Sequence, residues 1–102
     1  MNNARRKKLN AIYKGVDDLN GLLSNVKHLA DELRNQLQDE YDGEEESHGN
    51  LPESLQEGEK GQAMQEAMSA MQTALDLLEE VANVSDLDEA MEALDNAQAA
   101  GQ

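Results

Sequence analysis

From Leu9 to Leu37 the apolar residues recur at alternating steps of three and four: Leu9, Ile12, Val16, Leu19, Leu23, Val26, Ala30, Leu33 and Leu37. A half-buried strand alternates every second residue. A repeat averaging 3.5 instead keeps one stripe on one side of a helix, the a/d rhythm of a coiled coil. Lys14, Asp17, Asp18, Lys27, Asp31, Glu32 and Arg34 fall between the stripe positions and form a solvated face. Gly15 and Gly21 each cost about 1 kcal/mol against alanine, which the unbroken apolar register outweighs. The pattern predicts a first helix over about residues 3–41, roughly 57 Å long at 1.5 Å per residue.

The segment 42–60 loses the rhythm. It carries Glu44, Glu45 and Glu46, then Ser47, His48, Gly49, Asn50 and the only proline, Pro52. Such composition predicts an exposed acidic linker. A short helical turn is expected near 52–56, with Pro52 at its first position and Leu51 and Leu55 tacking it to the core.

Two further helices are expected. Over about 61–83, Met64, Met68, Met71, Leu75, Leu78 and Ala82 make one seam. Ala63, Ala67, Ala70, Ala74, Leu77 and Val81 make a second beside it. Two adjacent seams are wider than one partner helix covers. Over about 86–97, Leu87, Ala90, Met91, Leu94 and Ala97 form a narrower stripe. Ser85 is the expected N-cap there, with Asp86, Asp88 and Glu89 in the first turn, where the helix dipole favours negative charge. The Ala-Ala-Gly-Gln end is expected to fray.

These pieces predict one all-α domain: a long N-terminal helix packed antiparallel against two shorter C-terminal helices, as a helical hairpin with coiled-coil-like seams. The second and third helices, roughly 33 and 20 Å long, nearly match the first when laid end to end. The apolar width left over points to a homodimer; a self-contained three-helix bundle is the competing arrangement. Leu19, Leu23, Val26, Met64, Met68, Met71, Leu75 and Leu78 are the interface candidates. The methionines read as core, or as an adaptable binding face.

Charge narrows the partners. The net formal charge is −14, and it is unevenly spread. Residues 1–38 hold seven basic and four acidic side chains; residues 39–102 hold Lys60 alone against eighteen acids. Such a field repels nucleic acid and anionic membrane and attracts basic protein surfaces. Asp76, Glu79, Glu80, Asp88, Glu89 and Glu92 are the candidates for meeting such a surface. Arg5, Arg6, Lys7 and Lys8 make too small a cluster for more than a weak, salt-sensitive contact, and no aromatic nearby offers a base a stacking partner.

Chemistry beyond contact finds little support. There is no cysteine, and Tyr13 and Tyr41 are the only aromatic residues. The run Asp39, Glu40, Asp42, Glu44, Glu45, Glu46 and His48 does not match the ligand spacing of a calcium loop around Gly43. His28, His48 and the scattered serines form no catalytic pattern, and no glycine-rich phosphate loop is present. The expectation is a protein without enzymatic activity, metal or cofactor. No apolar run reaches a membrane span and the basic start lacks the apolar stretch of a secretory signal, so a cytoplasmic location is expected.

The stretch Asn50-Leu-Pro-Glu-Ser-Leu-Gln-Glu-Gly-Glu-Lys-Gly-Gln, followed by an acidic Ala/Leu-rich helix, resembles small acidic helical proteins of bacteriophages and prophages that carry an "NLPESLQ"-type linker. The resemblance covers about residues 30–95 and implies expression inside a bacterial host, with no catalytic residues to carry over. The function expected is that of a phage-type helical interaction module or adaptor. The rival is an acidic inhibitor that imitates nucleic acid and occupies the groove of a host or defence protein.

Overall fold

Asn2 opens the first helix: its side-chain Oδ1 accepts the Arg5 backbone N–H at 2.7 Å, satisfying a donor that the helix itself leaves free. The computed structural model describes residues 2–100. Four helices follow in chain order: α1 (Asn3–Gly49), α2 (Glu53–Gln56), α3 (Glu59–Ala82) and α4 (Asp88–Ala100). No strand occurs among the described residues. The long helix packs against shorter ones, as the apolar rhythm predicts.

Three boundaries differ from the sequence reading. The first helix does not stop near Tyr41 but continues to Gly49. Asp42 and Gly43 are weak helix formers, but the three glutamates Glu44, Glu45 and Glu46 that follow favour helix. Gln38 Nε2 also donates to Asp42 Oδ1 at 2.9 Å across one turn. The real stop is Pro52, which pushes the residue before it out of helical geometry. The expected linker 42–60 therefore contracts to the few residues around α2. Pro52 itself caps α2 and stands just outside it, its carbonyl accepting from Leu55 and Gln56 N–H at 2.8 and 3.0 Å. The last helix begins at Asp88 and extends through Ala100; Gly101 and Gln102, where fraying is expected, lie outside the described residues.

The chain divides into two compact units. The first comprises residues 2–27 with 84–100. Here Leu9, Tyr13, Val16, Asn20, Leu23 and Lys27 of α1 are half-buried, as are Leu87, Met91, Leu94, Ala97 and Gln98. Asn20 joins the two segments. Its Oδ1 accepts the Leu87 backbone N–H at 2.8 Å and its Nδ2 donates to Asp88 Oδ1 at 2.9 Å. The Asp88 N–H reaches Asp86 Oδ1 at 3.2 Å. Ser85, the expected cap, is displaced from that role because the chain turns later and a side chain from α1 supplies the acceptor. Asn20→Ala should cost about 1–2 kcal/mol, the worth of a lost cap and a stranded N–H. Hydrogen exchange is the check: amides of α4 should lose protection while those of α3 keep theirs.

The second unit comprises residues 28–83. It holds the two buried apolar side chains of the described residues, Ala30 of α1 and Leu75 of α3, at 5% and 4% exposure. Around them Arg34, Leu37, Tyr41, Glu44 and His48 of α1 are half-buried, with Met64, Ala67, Met68, Met71, Ala74, Leu78 and Ala82 of α3. The corner between α1 and α3 is tightly made. Gln56 Nε2 donates to Leu51 O at 2.7 Å and reaches Gly49 O at 3.4 Å. Buried Gly61 lies directly against the Gln56 main chain. The residues that stand out in the sequence as an "NLPESLQ" linker thus form a fixed corner in which Gln56 and Gly61 have assigned places. Leu55, expected to tack the turn down, is instead 48% exposed.

Candidate interaction surfaces

Which half of the α1 stripe is covered separates structure from expectation. All nine apolar positions from Leu9 to Leu37 read as one seam. In the first unit Leu9, Val16 and Leu23 are half-buried, whereas Ile12, Leu19 and Val26 stand 52%, 55% and 50% exposed. In the second unit Ala30 is buried and Leu37 half-buried, whereas Leu33 is 43% exposed. The covered line runs instead through Tyr13, Asn20, Lys27, Arg34 and Tyr41. In each unit, taken by itself, the apolar face of α1 is wider than the part that is covered. Leu22 and Leu29, outside the expected seam, are also exposed, at 63% and 55%.

The surface left over in the first unit has a regular register. Ile12, Gly15, Leu19, Leu22 and Val26 follow one another at steps of three, four, three and four along a continuous helix. No heavy atom lies within 4 Å of where a Gly15 Cβ would be. A foreign backbone could approach closely there.

The interface candidates therefore fall into two groups. Leu19 and Val26 are exposed; Leu23, Met64, Met68, Met71 and Leu78 are half-buried and Leu75 is buried. The second seam of α3 is open in part, with Leu77 and Val81 at 57% and 38% exposure and Ala63 and Ala70 exposed beside them. The acidic candidates Asp76, Glu79, Glu80, Asp88, Glu89 and Glu92 are all exposed. Two of them are engaged: Asp88 by Asn20, and Asp76 by Gln72 Nε2 at 2.9 Å.

Two shallow clefts occur in the first unit. One, about 280 Å³, is lined by Asn20, Leu23, Ser24, Lys27, Asp86 and Asp88. It mixes one ammonium with two carboxylates, and its amide is committed to the α4 cap, so it favours neither an anion nor a cation. The other, about 300 Å³, is lined by Asn3, Arg6, Lys7, Asn10 and Gln98 and is basic. His28 lies on the exposed side of α1, 3.5 Å from Glu32 one turn on. His48 belongs to α1 and not to a loop; its Nε2 is shielded, without a hydrogen-bond partner among the described residues. Among those residues no group of three or more His, Asp or Glu converges as a metal site, and no helix is long and apolar enough to cross a membrane.

No known protein family, curated protein or solved structure matches this chain.

Proposed function

We propose that this protein acts by contact with other proteins, through the apolar face that α1 leaves uncovered. One observation carries the reading: Ile12, Leu19, Leu22 and Val26 are all at least half exposed and in register on one helix. Single exposed leucines are ordinary on a protein surface, but a contiguous apolar line marks a place where something docks. A helix laid along this face, with side chains at matching three- and four-residue spacing, is the partner shape it suits. The same reading takes α1 to run antiparallel to the shorter helices. Asn20 beside Asp88, and Arg6 and Asn10 beside Gln98, support that direction in the first unit. Self-association belongs to this reading, as does action inside a bacterial cell, the setting the phage-type linker suggests.

The rival reading, an acidic protein that imitates nucleic acid, draws on the exposure of Asp76, Glu79 and Glu80 on α3 and of Asp88, Glu89 and Glu92 on α4. Salt separates the two. A charge-led complex weakens steeply as ionic strength rises, whereas an apolar one holds. The experiment is capture of host proteins on the immobilised chain across a salt series. The interaction-module reading expects a partner retained at high salt and lost from Leu19→Glu/Leu22→Glu. Loss with salt, and loss from Asp88→Lys/Glu89→Lys/Glu92→Lys with the apolar face intact, would transfer the assignment to the mimic.

A further inference from the structure

We propose that α4 is a displaceable strap: it competes within the chain for the apolar seam of α1, and it opens while α3 stays folded, baring that seam for a partner helix. The inference rests on the reading of α1 as a docking helix and names how that face is regulated.

What α4 covers is the first argument. In the first unit Leu9, Val16 and Leu23 of the a/d seam are half-buried, whereas Ile12, Leu19 and Val26 are exposed. The covered positions lie seven residues apart, and so do the open ones. The only other segment of that unit is 84–100, where Leu87, Met91 and Leu94 are half-buried in turn. α4 therefore takes every second position of the coiled-coil repeat. A helix seated in the full seam needs both sets, so α4 and such a partner exclude each other.

How lightly α4 is held is the second. Both buried apolar side chains of the described residues, Ala30 and Leu75, belong to residues 28–83, and the first unit has none. The thirteen residues of α4 are fewer than a helix needs to persist alone in water. Asn20 of α1 gathers its start: Oδ1 accepts Leu87 N–H, and Nδ2 donates to Asp88 Oδ1 and reaches Met91 Sδ at 3.9 Å. A short segment with few buried contacts opens at lower free energy than the whole molecule unfolds. Because cap and stripe both depend on α1, they leave it together.

Charge specifies the competitor. Residues 2–27 hold six basic side chains against Asp17 and Asp18, whereas 84–100 hold five acids and no base. What replaces α4 is an amphipathic helix with acidic flanks, the chemistry of α4 itself.

Amide hydrogen exchange on the full chain should show residues 88–100 exchanging as one group, at least about tenfold faster than the slowest amides of α3. Asn20→Ala should speed that group by about 5–30-fold, and Leu94→Glu should abolish its protection, with α3 unchanged in both. The probe for the vacated seam is a synthetic peptide of residues 84–100, followed through the backbone signals of Leu9, Val16 and Leu23. The tethered α4 competes at an effective concentration on the order of millimolar, so Leu94→Glu should respond at roughly a tenth or less of the peptide that the unaltered chain requires. Exchange of α4 in step with α3 overturns the inference. So does an equal response of the two proteins to the peptide, or a response from neither. Failure of that kind leaves the exposed line of α1 and its salt-resistant partner standing. Loss of the partner while α4 still opens alone removes the docking reading and keeps the strap.

Discussion

Leu75→Ala should lower the stability of the protein by about 2–5 kcal/mol, the range for deleting a buried leucine side chain and leaving a void. Leu75 is 4% exposed, and it and Ala30 are the buried apolar side chains of the described residues. Few other contacts can compensate. A chain of this length has about 5–15 kcal/mol in total, and the loss corresponds to a fall in Tm on the order of 10–30 °C. Leu22→Ala makes the matched control. The same atoms are removed from a side chain 63% exposed, and in solution dilute enough to keep chains apart the change should stay within about 0.5 kcal/mol. Urea titration of the two variants side by side gives the comparison. Equal losses would mean that the covered line of α3 does not hold the fold.

Gly61→Ala should destabilise even though Gly61 lies in a helix, where alanine is ordinarily the better residue by about 1 kcal/mol. A Cβ at Gly61 would lie 2.6 Å from the Gln56 Cα and closer still to its carbonyl group, against an ordinary carbon separation of about 3.5–4.0 Å. The obstruction is main chain, so no rotamer change relieves it. The corner holding the Gln56 to Leu51 hydrogen bond must shift, at a cost of roughly 1–3 kcal/mol for overpacking. Gly43→Ala should have the opposite sign. Gly43 lies in α1 with nothing within 4 Å of the added carbon, and the propensity gain of about 1 kcal/mol should appear undiminished. Thermal melts of both variants decide the point; two stabilised proteins would mean the corner is looser than drawn.

The helices themselves were legible because apolar spacing of three and four has no other regular reading. Their limits were less so. The run Glu44, Glu45 and Glu46 looks like linker by charge, yet charge does not break a helix, and only Pro52 supplies a steric reason to stop. The phase of the α1 seam was half legible. Apolar residues cover a broad arc of that helix, and which side is taken depends on where the other helices settle. One signal was present: Tyr13, Asn20, Lys27 and Arg34 recur every seven residues beside the leucines, and their long or polar side chains suit the margin of a covered line. Gly61 could not be singled out in advance. Nothing local marks it from Gly58; its role comes from the approach of Gln56. Among the candidate site residues, Leu19 and Val26 are exposed, whereas Leu75 is buried.

Asn20 has a further consequence for the order in which the molecule takes shape. The thirteen residues of α4 are too few for a helix to persist unaided in water, and the acceptor for Leu87 N–H comes from a side chain 67 positions upstream. Because α4 follows α1 in the chain, it finds its template already made. α1 acts as the mould, and the C-terminal turn sets only once it has been pressed against it.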